Sequence, residues 1–293
     1  MARRALLTGA SGFLGRHVAA RLGAEGWAVA RLGRAPAPGT LVRPVWDGAV
    51  FAEILAETAP DVVFHLAGSA WATPVSALYE TNLMLAARLL DAVAARATPP
   101  AVVLIGSAAE LGFVPADAQP VTEDFPCAPT THHGLAKLAQ TRLGQAWAGA
   151  GLKVLVARLF NPVGAGMPAG LALPSFAAQI RAADRVLRVG NLDVARDFID
   201  VAEAARLIVA LAGDPARLGQ TVNICSGVAT RLRPLVEAMI RLSGRDIAIE
   251  VDPARVRPGE MRVLTGSIAR LRAAGLVPEA PDFARVLPAL LAG

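Results

Sequence analysis

The residues that could do chemistry in this sequence fall into two runs that lie far apart. Residues 8–15 read TGASGFLG, a glycine-rich turn of the kind that holds the pyrophosphate of a dinucleotide. Residues 131–137 read THHGLAK, in which His133 precedes Lys137 by four positions. A titratable side chain beside a nicotinamide could manage the proton that accompanies hydride transfer to a carbonyl. The two runs therefore predict redox chemistry on a C=O or CH–OH group.

Each glycine of the turn has its own predicted role. Gly9 permits the tight turn after a buried strand, Gly12 lets the backbone approach the phosphates, and Gly15 lets helix and strand pack closely. The amides and the dipole at the start of the following helix attract the phosphate charge. We predict that the dinucleotide also contacts the neighbouring residues Ser11, Phe13, Leu14 and Arg16.

The end of the second predicted strand indicates which dinucleotide is bound. A carboxylate there would hold the ribose hydroxyls of NAD, whereas an arginine can hold the 2′-phosphate of NADP. The strand ends in Arg31-Leu32-Gly33-Arg34, without a carboxylate. We therefore predict NADP(H), with Arg34 as the main phosphate ligand and Arg16 or Arg31 assisting. The alternative is that these arginines are solvated surface residues without a role in cofactor binding.

Two further segments are predicted to line the cofactor. Asp47, just after the third predicted strand, could accept from the adenine amino group. The run HLAGSA at 65–70 supplies a turn of small residues, so that Leu66, Ala67 and Gly68 would lie near the cofactor. His65 ends an apolar strand, and we expect a packed histidine there rather than a catalytic one.

Short apolar runs that alternate with longer helical stretches predict the elements that position these residues. The runs are apolar throughout rather than alternating, as expected for parallel strands buried on both faces. The pattern predicts an α/β fold, a Rossmann-like doubly wound parallel sheet with a smaller C-terminal substrate lobe. Predicted strands are Ala5–Leu7, Ala28–Leu32, Leu41–Trp46, Val62–Leu66, Ala101–Ile105, Lys153–Leu159 and Gln220–Cys225, and predicted helices are 13–25, 49–58, 76–97, 134–150 and Ser175–Ala183.

The amino-acid composition changes after Phe160, where the segment NPVGAGMPAGLALP is rich in glycine and proline. Its apolar content predicts a loop over a site rather than a free linker. We predict that residues 1–162 and 196–225 form an NADP-binding Rossmann domain. Residues 163–195 and 226–293 would form the substrate-binding lobe.

Taken together, these motifs resemble the extended short-chain dehydrogenase/reductases, in the NAD-dependent epimerase/dehydratase family. The resemblance rests on TGASGFLG, DVVFHLAG, TNLMLAARLLDA, LIGSAAELG, the lysine motif, RLFNPVGAG and GNLDVARDFIDV. It implies that Ser107 hydrogen-bonds the substrate oxygen and that Lys137 binds the nicotinamide ribose. It also implies that Phe160, Asn161 and Val163 form the loop that meets the carboxamide. His133 stands where the family has tyrosine, and the single tyrosine, Tyr79, lies too far away in sequence to complete that motif.

The later portion, VNICSG followed by VDPARVRPGE, is most similar to GDP-4-keto-6-deoxymannose reductases. This similarity implies that Arg196 and Arg257 contact substrate phosphates, since a guanidinium binds a diphosphate in bidentate fashion. Structural ion pairs, such as Arg196 with Asp197 or Asp200, are the alternative. Ser107, His133, Asn161, Arg196 and Arg257 are thus the predicted substrate residues.

The missing tyrosine leaves three hypotheses for the proton. His133 could donate as imidazolium, although Lys137 disfavours that form. A substrate phenol could donate from within the molecule, which points to a phenolic aromatic polyketide. Alternatively, the chain is a non-catalytic NADP-binding module. Our main hypothesis is an NADPH-dependent ketoreductase of such a polyketide in antibiotic biosynthesis; a nucleotide-sugar 4-keto reductase or epimerase is the alternative.

Composition limits the partners of this chain. Its 29 basic and 24 acidic residues leave a net charge of +5 spread over dispersed arginines, with 5% aromatic content, so we predict no nucleic-acid partner. Charged residues interrupt every apolar run, which predicts no membrane span. Cys127 and Cys225 suit a reducing cytoplasm and fit no metal-ligand spacing. We expect a cytoplasmic monomer or homodimer, with a small-molecule substrate and no metal.

Overall fold

The structure is a computed structural model that describes residues 2–182, 185–256 and 261–292. Its strands are β1 (Arg4–Thr8), β2 (Ala28–Gly33), β3 (Thr40–Val42), β4 (Val62–His65), β5 (Ala101–Ser107), β6 (Val154–Leu159), β7 (Asn161–Val163), β8 (Val186–Val189), β9 (Ala195–Asp200), β10 (Thr221–Ile224), β11 (Ala229–Arg231), β12 (Ala248–Val251) and β13 (Val263–Leu264).

The helices alternate with these strands through most of the chain. They are α1 (Phe13–Ala24), α2 (Gly48–Thr58), α3 (Val75–Tyr79), α4 (Leu85–Ala94), α5 (His132–Gly149), α6 (Ala172–Ala182), α7 (Val201–Ala212), α8 (Leu232–Ser243), α9 (Ala269–Ala273) and α10 (Phe283–Ala292). No helix within the described ranges is both long and apolar enough to cross a membrane.

The central sheet confirms the predicted fold class. Seven strands pair in the order β10-β6-β5-β4-β1-β2-β3, and every one of these pairs is parallel. The strand order reverses beside β1, whose neighbours are β2 and β4. In doubly wound sheets, ligands bind at the carboxyl ends of the strands at such a reversal. The glycine turn follows β1 at this point.

Both faces of the sheet are covered, which explains why its strands are apolar throughout. Leu7 of β1 packs in a core cluster with residues of α1 and α7. Leu6, the preceding residue, packs in a second cluster with residues of α2 and α4. Because side chains alternate along a strand, consecutive apolar residues serve opposite cores. The sheet is thereby a rigid base for the turns at its carboxyl edge.

A third core cluster lies outside the sheet and draws residues from 163–198 and 232–290. It packs α6, α8 and α10 around the parallel pair of β8 and β12. A further small sheet joins β7, β9, β11 and β13. The third cluster includes Phe198, which the predicted boundary at 196 assigns to the Rossmann domain, and the predicted division into two lobes stays a proposal.

Three elements differ from their predicted form or bounds. The predicted strand 41–46 is only Thr40–Val42, because Pro44 has no amide hydrogen for the ladder and the chain turns there. The predicted helix 76–97 contains a π-helical turn, Glu80–Met84, between α3 and α4. Asn82 in that turn donates from Nδ2 to the carbonyl of Leu78. The predicted helix Ser175–Ala183 begins earlier, at Ala172, and Ala183 lies outside the described residues.

Candidate active site

The glycine turn connects β1 to α1 in a geometry that only glycine permits. Gly9 has a φ of 70°, and a Cβ placed on it would lie 2.6 Å from the amide nitrogen of Ala67. A Cβ on Gly15 would lie 2.0 Å from the carbonyl oxygen of Gly9. The turn is therefore a tight cradle that opens on the N-terminus of α1, where backbone amides attract anions. These features fit the pyrophosphate of a dinucleotide, while the predicted contacts of Ser11, Gly12, Phe13 and Leu14 remain predictions.

The segment after β4 is tied to the end of β1. The amide of Ala67 donates to Thr8 Oγ1 at 3.2 Å, and Thr8 Oγ1 lies 2.9 Å from Nδ1 of His65. His65 is fully buried, and burial followed by the charge of Lys137 lowers its pKa to about 3. It is a neutral packed histidine, in agreement with expectation. Leu66, Ala67 and Gly68 consequently line the edge of the sheet beside the glycine turn.

Of the positions predicted to select NADP, Arg34 lies over the ring of Trp46. The guanidinium carbon of Arg34 lies 5.0 Å from the centre of the Trp46 ring, and Arg31 is exposed on β2. Asp47 caps α2, where its Oδ1 accepts from the amide of Val50 at 2.9 Å. The cap leaves Oδ2 for the predicted adenine contact. A cation without a carboxylate at the end of β2 fits a 2′-phosphate.

Arg16 has a structural role that its sequence position did not reveal. Its Nη2 donates to the carbonyl oxygens of Ala165 and Gly166, the latter at 2.7 Å. At the other end of the same loop, a Cβ on Gly170 would lie 2.9 Å from the ring of Trp71. The loop therefore bridges α1 and the segment after β4, on either side of the cofactor cradle. The predicted contribution of Arg16 to phosphate binding stays a prediction.

Ser107 ends β5 and caps the short 3-10 turn that follows. Its Oγ accepts from the amide of Ala109 at 3.2 Å, and its own amide donates to Glu110 Oε1 at 2.7 Å. The cap uses a lone pair of the hydroxyl oxygen, so the hydroxyl hydrogen remains for a substrate oxygen.

Glu110 was not singled out in the sequence and is completely buried. It accepts from Thr141 Oγ1 at 3.0 Å and pairs with Arg158, whose Nε lies 3.2 Å from Oε2. Burial raises the pKa of the Glu110 carboxyl, and Arg158 opposes that rise. The only indication of Glu110 in the sequence is that it is the single acidic residue within the mostly apolar run SAAELG. Its role depends on partners 31 and 48 positions away.

Lys137 lies on α5 behind Ser107. Thr131 caps this helix by accepting from the amide of Gly134 at 3.1 Å. The ammonium of Lys137 donates to the carbonyl of Ile105 and to Gln140 Oε1, both at 2.9 Å. Burial lowers the pKa of Lys137 to about 8, although Glu110 acts in the opposite direction.

His133 is half-buried one turn before Lys137, and its Nδ1 lies 3.2 Å from the carbonyl oxygen of Ser69. Burial and then Lys137 lower the pKa of His133, with the Ser69 contact acting against them. Asn82 holds the same peptide segment: its Oδ1 accepts from the amide of Ser69, and its Nδ2 donates to the carbonyl of Ser69. This role of Asn82 was not predicted from the sequence, although a polar residue within an apolar helix was an indication of it.

Tyr79 lies nearer to the lysine motif than its sequence position suggests. Its hydroxyl is 3.1 Å from Nδ1 of His132, and the two rings are nearly perpendicular. The contact joins α3 to the start of α5, next to His133. Tyr79 still does not supply the missing position of the motif, which His133 occupies.

The predicted nicotinamide loop is anchored by its side chains. Phe160 and Val163 are buried in two different core clusters, so any contact with a carboxamide would use their backbone atoms. Asn161 donates from Nδ2 to the carbonyl of Asp197 at 2.7 Å. The carboxylate of Asp197, in turn, accepts from Ser226, Gly227 and Gly266.

Of the two predicted phosphate ligands of the substrate, the structure describes only Arg196. Arg196 donates from Nη1 to the carbonyls of Ala195 and Met261, both at 2.9 Å. Arg257 lies outside the described residues.

Among the residues that the structure describes, no group of three or more His, Cys, Asp or Glu side chains could hold a metal ion.

Known proteins resemble this chain over nearly its whole length. The family model of the NAD dependent epimerase/dehydratase family matches residues 5–225. GDP-6-deoxy-D-mannose reductase of Pseudomonas aeruginosa is 34% identical over 284 residues, 92% of this chain and 90% of the relative. The dTDP-6-deoxy-L-talose 4-dehydrogenase (NAD(P)(+)) of Kitasatospora kifunensis is 34% identical over 264 residues, 86% and 82% of the two chains. The structure of RMD from Pseudomonas aeruginosa complexed with NADPH has a TM-score of 0.84 and 31% identity, covering 100% of this chain and 97% of the other.

Proposed function

The chain belongs to the NAD dependent epimerase/dehydratase family, and we propose that it interconverts the ketone and alcohol at C4 of a 6-deoxyhexose carried on a nucleoside diphosphate. The chain is an enzyme of the oxidoreductase class that uses NADP(H), as the sequence predicted. Substrate identity and the roles of individual residues belong to the proposal.

The relatives favour the sugar over the phenolic polyketide of our main sequence hypothesis. Both are named for a 6-deoxyhexose on a nucleoside diphosphate, and both are 34% identical to this chain. A sugar ketone has no phenol beside it. The hypothesis that the substrate itself donates the proton is therefore not favoured. The proton must then be exchanged with a group of the protein or with solvent.

The observation that carries the proposal is the contact between Lys137 Nζ and the carbonyl of Ile105, at 2.9 Å. Ile105 lies two residues before Ser107 on β5, so the ammonium and the hydroxyl are held at the end of one strand. Reduction of a ketone builds negative charge on its oxygen, which a hydroxyl donor and a nearby cation stabilise. Two groups of the required kinds therefore converge beside the dinucleotide cradle.

In the proposed mechanism, the residues of the chain position the reacting groups and stabilise charge. Ser107 donates its free hydroxyl hydrogen to the C4 oxygen, while the cap with Ala109 fixes the orientation of its oxygen. Lys137 holds the nicotinamide ribose and keeps positive charge near the reacting oxygen. Arg34 binds the 2′-phosphate. The bound nicotinamide supplies hydride to the ketone, or removes it from the alcohol. Arg196 and Arg257 are proposed to bind the substrate diphosphate.

A substrate panel tests this proposal. Purified protein is mixed with NADPH and GDP-4-keto-6-deoxymannose, a dTDP-4-keto-6-deoxyhexose or a phenolic polycyclic ketone, and absorbance of the reduced nicotinamide is followed. We expect turnover of a nucleotide sugar, with kcat/KM about 100-fold lower in Ser107→Ala because a donor to the oxyanion is lost. Ser243→Ala, at the remote end of α8, is the matched control and should keep full activity. Turnover of the phenolic ketone alone would overturn the proposal.

A further inference from the structure

The orientation of His133 determines which of its ring nitrogens can exchange a proton with a ligand. Nδ1 lies 3.2 Å from the carbonyl oxygen of Ser69. A carbonyl oxygen can only accept, so this hydrogen bond requires the proton on Nδ1. In the neutral imidazole, Nε2 then carries a lone pair and no hydrogen. A neutral His133 in this arrangement can take a proton through Nε2 but cannot give one.

The Ser69 carbonyl is itself held in place. Asn82 is fully buried, donates to this carbonyl at 2.8 Å and accepts from the Ser69 amide at 3.1 Å. On the adjoining residue, a Cβ on Gly68 would lie 2.8 Å from Asn82 Oδ1 and 3.2 Å from Lys137 Nζ. The Ser69 carbonyl therefore cannot turn without breaking its hydrogen bond to Asn82, and the Ser69 amide is fixed by the same side chain.

The charged groups around His133 also favour its neutral form. Lys137 on the same helix repels an imidazolium, and burial disfavours any charge. Glu110, from the turn after β5, is paired with Arg158 and Thr141. His132, the neighbouring titratable group, is hydrogen-bonded to Tyr79 of α3. Within the described residues, no carboxylate forms an ion pair or hydrogen bond with His133.

We propose that His133 accepts the alcohol proton through Nε2 during oxidation, and that ketone reduction requires its imidazolium form. This inference rests on the proposed function. In oxidation, the C4–H bond breaks and its electron pair leaves as hydride to the oxidised nicotinamide. The hydroxyl proton moves to Nε2, and the C4 oxygen becomes the ketone. The imidazolium then releases a proton to solvent, and reduction follows the reverse course.

The two directions consequently respond differently to pH. Because burial and Lys137 lower the pKa of His133 from the ordinary histidine value, the neutral base predominates near neutral pH, and the oxidative kcat/KM should rise less between pH 6.5 and 7.5 than the reductive kcat/KM falls. The reductive kcat/KM should fall as the pH rises over the same interval, since only the imidazolium form reacts. Both directions should decline above the pKa of Lys137, about 8, where the ammonium is lost.

The tautomer can be tested without any substrate. Two-bond ¹H–¹⁵N correlation spectra of the whole protein at pH 7.5 distinguish Nδ1–H from Nε2–H imidazoles, and this chain has only 4 histidines. His133→Asn removes the signal to be assigned while keeping an amide donor for Ser69. We expect the Nδ1–H form for His133, with and without NADP. The Nε2–H form would overturn the inference even if the enzyme reduces nucleotide sugars.

Kinetics in both directions complete the test. His133→Asn should lower the oxidative kcat/KM about 100-fold or more and remove the pH dependence of reduction between pH 6.5 and 7.5. His132→Asn, the matched control, should keep the wild-type pH profile. A reductive rate that does not change over this pH range in the wild type would overturn the inference. Failure to turn over any nucleotide sugar would overturn the proposed function, whichever tautomer is found.

Discussion

The carboxylate of Glu110 accepts a hydrogen bond from the backbone amide of Ser107 at 2.7 Å, within a network that also contains Arg158. The turn that carries the proposed oxyanion donor is thereby fastened to a buried ion pair. Breaking such a pair is costly because one charge stays buried without its partner. The position of Ser107 thus depends on charges that no substrate would touch.

Glu110→Gln tests this dependence. The amide keeps the shape and an acceptor for Ser107 but leaves Arg158 unpaired, so the free energy of unfolding should fall by about 3–5 kcal/mol in urea titrations. Glu110→Gln combined with Arg158→Met, which removes both charges, should lose less than the single variant. Unchanged stability of Glu110→Gln would show that the pair does not hold this turn.

The glycine turn offers a matched pair of substitutions on α1. Gly15→Ala places a Cβ 2.0 Å from the Gly9 carbonyl oxygen, which forces the turn open and should raise the Kd for NADPH by more than about tenfold. At Gly23 on the same helix, a Cβ meets nothing within 4 Å. Gly23→Ala should stabilise the protein by about 0.5–1 kcal/mol and leave the Kd unchanged. Equal Kd values for the two variants would contradict the proposed cradle.

The choice of dinucleotide is tested at Arg34. A charge-assisted bond to the 2′-phosphate contributes about 1.5–3 kcal/mol, so Arg34→Ala should weaken NADPH binding by about 10- to 100-fold and leave NADH binding unchanged. Arg21, which pairs with Glu25 on α1, provides the control variant Arg21→Ala. Calorimetric titration gives both constants. Equal losses for NADPH and NADH in Arg34→Ala would argue against the phosphate contact.

His65 should make stability depend on pH. Its pKa of about 3 in the folded protein lies below the value of 6.5 for an exposed histidine, so the unfolded chain binds a proton first as the pH falls. The contribution of neutral His65 to the free energy of unfolding is present above pH 6.5. It should decrease by about 2 kcal/mol between pH 7 and pH 5. His65→Gln, which can still bond Thr8, should show a shallower decrease in urea midpoint. If the urea midpoints of the two proteins decreased in parallel with falling pH, protonation of His65 would not be the cause of the decrease.

The sequence was sufficient for features that depend on neighbouring residues. The apolar strands, the glycine turn and the helix with Lys137 each carry a local signal, such as the Thr131 cap that begins α5. The resemblance added the pairing of Ser107 with Lys137, which comes from adjoining elements of one sheet edge. The predictions of strands, turn and helix were confirmed because local pattern and global fold agree, whereas the joint role of Ser107 and Lys137 stays a prediction.

Features that depend on distant contacts could not be predicted from local pattern. Asn82 reaches Ser69 across 13 positions, Tyr79 reaches His132 across 53, and Arg16 reaches Gly166 across 150. Each is a side-chain hydrogen bond whose partner becomes a neighbour only through folding. The tautomer of His133 belongs to this group, because the Ser69 carbonyl determines it.

Hydride exchange at C4 of a nucleotide-linked 6-deoxyhexose would carry an isotope from the cofactor into the sugar. NADPH deuterated at the transferable C4 position of its nicotinamide is incubated with the protein and GDP-4-keto-6-deoxymannose or a dTDP-4-keto-6-deoxyhexose, and the product is analysed by NMR. We expect one deuterium at C4 of the sugar in at least one of these products. Absence of deuterium from both sugars, with deuterium incorporated into a phenolic ketone instead, would contradict the proposed function.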